Sequence, residues 1–233
     1  RRHYRAPTNE DLAREAMVIE LLKERFFEWQ ENGFIPSQAI EPGTKTDEPI
    51  RTRGWTYWHH LYSPRQLLVN GLLSQSISLV ERKQNKVAAL LALGRCADYN
   101  SKLCRWDSAA GSEKTVQTFY NQAVNPLYNY ASRSFQGLSP TWLSRHSNYT
   151  ITSEHRIEVQ DARMVDQFAD IWITDPPYAD AINYEEITEL FLSWYSKWIP
   201  GIFPDWYADT KRALAVKGND SDFRKAMIDC YQN

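Results

Sequence analysis

Ile171-Trp172-Ile173-Thr174-Asp175-Pro176-Pro177-Tyr178 is the stretch on which the fold reading turns. Its first four residues form a short apolar run of the kind that fills a buried strand. Two prolines then end it. Each fixes φ and removes an N–H, so the carbonyls of this turn are rigid and available as acceptors. The stretch predicts a strand that stops at an acceptor-rich turn. Asp175 offers a carboxylate, Pro176 a backbone carbonyl and Tyr178 a ring face. The plain alternative is a strand-end turn in which Pro176 and Pro177 only stop the strand.

The flanks extend this reading. Arg156 to Gln160 alternates like a short strand, with Asp161 and Ala162 after it. An Asp after a strand is also an ordinary turn residue. Downstream, Asn183 reads as a helix cap with Glu186 as its capping-box partner. Ile187, Leu190, Phe191, Trp194, Tyr195 and Trp198 then repeat at helical spacing until Pro200. That spacing marks a buried stripe, so these aromatics read as core rather than as stacking platforms. Open α/β folds place ligands above the strand ends, where residues 179–182 would lie.

Earlier in the chain the signals are helical. Thr8 with Asp11 predicts a helix start, carried by Leu12, Ala16, Ile19, Leu22 and Phe26 and stopped at Asn32-Gly33. Residues 36–52 read as a loop. Ser63-Pro64 with Gln66 predicts a second helix, to about Arg82. A third is expected from Asn85 to about Tyr99, then a loop from Asp107 to Thr115. Val116 to Phe135 reads as largely helical with a break near Pro126. Leu138 to Thr150 reads as loop, and Ser221 to Tyr231 as a last helix.

An Asp-Pro-Pro-Tyr turn after a strand resembles the catalytic motif of the DNA amino-methyltransferases. The segments Gly54-Trp55, Tyr62 to Leu68, Ala97 to Trp106 and Ala213 to Gly218 are similar to successive blocks of one group, the large zinc-ribbon-containing adenine-specific DNA methylases. The likeness spans roughly residues 50–220, and this chain resembles an internal portion of such an enzyme. The resemblance implies methylation of an exocyclic base amine, adenine N6 before cytosine N4, in restriction-modification or anti-phage defence. It implies S-adenosylmethionine as cofactor and DNA as partner. Asp175, Pro176, Pro177 and Tyr178 would be catalytic. Asp175 and the Pro176 carbonyl would take the amine's two N–H groups and free its lone pair. Tyr178 would stack on a base flipped out of the duplex. Asp161 would contact the cofactor.

Departures qualify the match. The group's glycine-rich segment for the methionine part of the cofactor is absent, since no two of the nine glycines are close. Cys96, Cys104 and Cys230 do not stand at zinc-ribbon spacing, and no metal site is expected. Another chain or a missing segment is therefore expected to supply the glycine-rich part.

Composition sets outer bounds. The chain has 233 residues, 42% hydrophobic and 13% aromatic, enough for a real core. It lacks the roughly 18 consecutive apolar residues of a membrane span. Scattered, odd-numbered cysteines fit a reducing compartment, and a cytoplasmic location is expected. A net charge of −2 means that any DNA contact rests on a local patch. Pro49 to Val80 contains no acidic residue and interleaves Arg51, Arg53 and Arg65 with Trp55, Tyr57, Trp58, His59, His60 and Tyr62. Cations among aromatics suit phosphate contacts and stacking, so the three arginines are the candidate nucleic-acid residues. A solvated rim around a core is the alternative.

The expected architecture is α/β: a partial Rossmann-like methyltransferase sheet in residues 151–233, with residues 1–150 as a largely helical cap or insertion. The competing functional reading is a non-catalytic nucleic-acid-binding or scaffold portion of a defence complex, without a complete cofactor site.

Overall fold

The computed structural model describes residues 5–107, 114–120, 124, 152–176, 183–206, 212–216 and 220–232. Pro177, Tyr178, residues 179–182 and nearly all of residues 121–150 lie outside them.

Helix α1, Asn9–Glu31, starts on a capping box. The Thr8 hydroxyl accepts from the Asp11 N–H, and the Asp11 carboxylate accepts from the Thr8 N–H. It ends at Asn32, after which Gly33 takes φ 73°, a left-handed turn that glycine enters without strain. Helix α2 is Asp47–Arg53. A 3-10 turn, Trp58–Leu61, leads into α3, Pro64–Ser78. The expected box at Ser63 and Gln66 is formed, with Pro64 opening the helix. Helix α4 is Lys83–Tyr99.

These helices pack α1 on α3 and α3 on α4. Trp29, Ile35, Trp58, Leu61, Leu67, Leu93 and Ala97 fill the core between them. Packing is close enough that a Cβ at Gly71 would overlap the Trp29 ring. Of the apolar stripe expected on α1, Leu22 is buried while Leu12 and Ile19 stay exposed.

The stripe expected from Ile187 to Trp198 also reaches this core, but as three short helices: α5 Tyr184–Ile187, α6 Glu189–Tyr195 and α7 Ile199–Ile202. At the first break the Thr188 hydroxyl takes the Tyr184 carbonyl at 2.7 Å. Helix α6 lies on α4. Trp194 is fully buried and donates to the Tyr62 hydroxyl at 3.1 Å, which itself donates to the Ala97 carbonyl at 3.1 Å. Tyr195 donates to the Leu90 carbonyl at 3.0 Å, where a Cβ at Gly94 would overlap its hydroxyl.

A charged clasp holds the same region to the loop before α2. Glu186 does not close a box with Asn183. Its carboxylate instead accepts from the backbone N–H of Thr44 at 3.0 Å, Lys45 at 2.7 Å and Thr46 at 3.3 Å. Arg212 pairs with Glu189 at 2.7 and 2.9 Å and donates to the carbonyls of Glu41 and Pro42. Burial pushes the Glu186 carboxyl up. The Lys45 N–H, the Asn183 amide, the Thr44 N–H and Arg212 outweigh it, leaving the group below its usual range.

The expected α/β architecture is overturned. The described residues are mostly helical, and the only sheet among them pairs β1, Trp106–Asp107, with β2, Lys114–Thr115. Residues 156–160 and 171–174, read as strands of a partial Rossmann-like sheet, form no strand pairing among the described residues. Residues 165–176 make no backbone–backbone hydrogen bond among the described residues. An apolar, β-branched run satisfies one face of what a strand needs. It becomes a strand only when neighbours take its N–H and C=O groups. Here Phe168 is 97% exposed, Ile173 94% and Trp172 58%. Helix α8, Asp220–Gln232, packs against a short 3-10 turn at Ala162–Met164.

Candidate functional site

Asp175 and Pro176 follow the exposed run directly, and both are exposed. The Asp175 carboxylate has no hydrogen-bond or ion-pair partner among the described residues. It is an exposed carboxylate at the end of an extended segment. The ring that would stack on a base, at Tyr178, lies outside the described residues, as does Pro177.

Asp161 is engaged elsewhere. It caps the Ala162–Met164 turn through the Arg163 N–H at 2.9 Å and binds the Arg163 guanidinium at 2.8 and 2.6 Å. The side-chain hydrogen bonds from Arg163 hold its carboxyl below the usual range. No contact among the described residues joins it to Asp175. Neither of the two described cavities is lined by Asp161 or Asp175.

The patch of residues 49–80 resolves into two parts. The arginines singled out there are each paired with an acid from outside it. Arg51 meets Asp47 at 3.6 Å, Arg53 meets Glu48 at 3.6 Å, and Arg65 meets Glu15. Such pairs compensate the charge available to a phosphate backbone.

The aromatic part borders an open cleft of about 380 Å³, lined by Gly54, Trp55, His59, His60, Tyr62, Pro64, Leu67 and Lys102. Lys102 is brought in by its N–H, which donates to the Leu61 carbonyl at 2.8 Å. Its ammonium stands 4.2 Å from the centre of the Trp55 ring, and the Arg53 guanidinium stands 5.3 Å from it. Hydrogen bonds orient both imidazoles. His59 Nδ1 lies 3.2 Å from the Pro36 carbonyl and 3.4 Å from the Gln30 amide nitrogen; the carbonyl can only accept, so in the tautomer that bonds it Nδ1 carries the proton and Nε2 is the acceptor. His60 Nδ1 accepts from the N–H groups of Thr56 at 3.1 Å and Tyr57 at 3.4 Å, so its Nε2 is the donor. The two rings meet edge to face at 4.5 Å.

Burial, reinforced by His60, lowers the His59 pKa to about 4. Burial and then Lys102 lower His60. Burial alone lowers Lys102 to about 8. Sequence reading noted both histidines but missed Lys102, which lies far along the chain from the patch. The Leu61–Lys102 pairing is long-range, and no local pattern encodes it. Among the described residues no group of three or more His, Cys, Asp or Glu stands ready for a metal ion. No described helix is long and apolar enough to cross a membrane.

Compared with family models, with curated proteins and with solved structures, the chain matches none.

Proposed function

We propose that this chain carries the amine-activating turn of an S-adenosylmethionine-dependent amino-methyltransferase acting on DNA, adenine before cytosine. The observation that carries the reading is the Asp175-Pro176-Pro177-Tyr178 sequence after an apolar run, with the Asp175 carboxylate exposed and without a partner among the described residues. Asp175 and the Pro176 carbonyl accept the two N–H groups of a flipped base, which draws its nitrogen toward tetrahedral geometry. S-adenosylmethionine supplies the methyl group, and another chain or a further segment supplies the glycine-rich part of its seat. The target is DNA in a modification or anti-phage setting.

The test is transfer of labelled methyl from S-adenosylmethionine to adenine-containing DNA, preceded by titration of the cofactor into the chain. Asp175→Ala is expected to abolish transfer and leave the helical core folded. Undiminished turnover in that variant ends the reading. Folded protein that neither binds the cofactor nor transfers methyl favours a second one, a non-catalytic nucleic-acid-binding or scaffold portion of a defence complex. That second reading is supported by the sequence, which lacks a glycine-rich segment for the methionine part of the cofactor.

A further inference from the structure

We propose that the pocket bounded by Trp55, His59, His60, Tyr62 and Lys102 binds the phosphate of a nucleotide, with the nucleoside lying along its apolar wall. This site is separate from the Asp175 turn and does not rest on methyl transfer.

Three features support it. First, the pocket's nitrogen groups, His59, His60 and Lys102, are depressed by burial or by one another, and no carboxylate among the described residues acts on them. Lys102 is the cation at the wall; Arg53 beside Trp55 is matched by Glu48. Lys102 has no carboxylate partner among the described residues, so its charge is partly desolvated and uncompensated. A bound anion relieves that cost. Second, the donor pattern is defined by the backbone. The two N–H groups on His60 Nδ1 make Nε2 a hydrogen-bond donor in the neutral ring, suited to a phosphate oxygen. The Pro36 carbonyl makes His59 Nε2 an acceptor, suited to a sugar hydroxyl or an exocyclic amine. Third, the remaining walls are apolar: Trp55, Tyr62, Pro64 and Leu67. At about 380 Å³ the space is within the range of small-ligand sites. A free inorganic ion would leave that wall unused.

Adenosine monophosphate, adenosine and inorganic phosphate are the probes, titrated into the whole chain with Trp fluorescence and calorimetry as readouts. Adenosine monophosphate is expected to bind more tightly than either of the others. Lys102→Met is expected to weaken it at least about tenfold, and His60→Gln by a smaller factor. Binding is expected to weaken as pH rises through about 8, where the free Lys102 loses its proton. In the wild-type chain the nucleotide is expected to shield Lys102 from an amine-acylating reagent, read by mass spectrometry, which keeps the test decisive if Lys102→Met fails to fold. No binding of adenosine monophosphate, or binding with Lys102 unshielded, overturns the site. Adenosine binding as well as its phosphate overturns the anion role. Inorganic phosphate binding as well as the nucleotide overturns the nucleoside role.

Discussion

Trp194 and Trp172 show two fates for the same side chain. Trp194 is fully buried, edge to face with Tyr62 at 5.3 Å, and its indole N–H has a partner. Trp172 is 58% exposed between two exposed isoleucines. Both were read as interior from local pattern. The first has α4 and the Tyr62 hydroxyl to receive it. The second stands in a segment whose backbone makes no hydrogen bond among the described residues. Apolar pattern states what a segment would bury, and only long-range partners decide whether it does.

The sharpest way to break this comparison is a pair of truncations read by urea unfolding. Trp194→Ala removes a fully buried indole and is expected to cost about 3–5 kcal/mol. Trp172→Ala is expected to fall within about 0.5 kcal/mol of wild type, as exposed changes do. A comparable loss in both would mean that residues 152–176 belong to the cooperative core.

A smaller effect is expected at the α4–α6 contact. Gly94→Ala forces a methyl against the Tyr195 hydroxyl and is expected to cost about 1–3 kcal/mol by overpacking. If thermal melting is unchanged, α6 is not seated on α4 as described.

The smallest effect sharpens the contrast from the pocket side. The folded state holds His59 at about 4, against an ordinary 6.5. The unfolded chain therefore takes up this proton first. Stability from the neutral ring is complete above pH 6.5 and is lost as pH falls through about 4. His59→Gln is expected to flatten the dependence of unfolding free energy on pH across that window. An unchanged slope would mean that the ring is solvated.

Helices and their ends were largely legible from the sequence, because capping is a local matter. Thr8 with Asp11 and Ser63 with Gln66 each satisfy orphan N–H groups within one turn. The sheet was misread because pairing is non-local, and residues 156–160 and 171–174 carry strand pattern without partners. Glu186 shows the same limit on a smaller scale. Three residues from Asn183 it fits a capping box, yet its carboxylate is claimed by the N–H groups of residues 44–46. The arginine patch was legible as a run without acids. Its cancellation by Asp47, Glu48 and Glu15 comes from residues just outside that run or folded against it. For the Asp175 turn, the residue types were legible and their open exposure was not.

The Glu186 clasp has a counterpart at Thr118, whose N–H and hydroxyl both donate to the Asp98 carbonyl, at 2.9 and 2.6 Å. Thr118 and Glu186 are thus both fastened to the helical framework, one on each side of Asp175 in the sequence. Closure entropy grows slowly with the length of chain between two such points, about 0.6 kcal/mol for each doubling of a flexible loop. A change of length between them is therefore expected to cost less than a single methyl at Gly71 or Gly94.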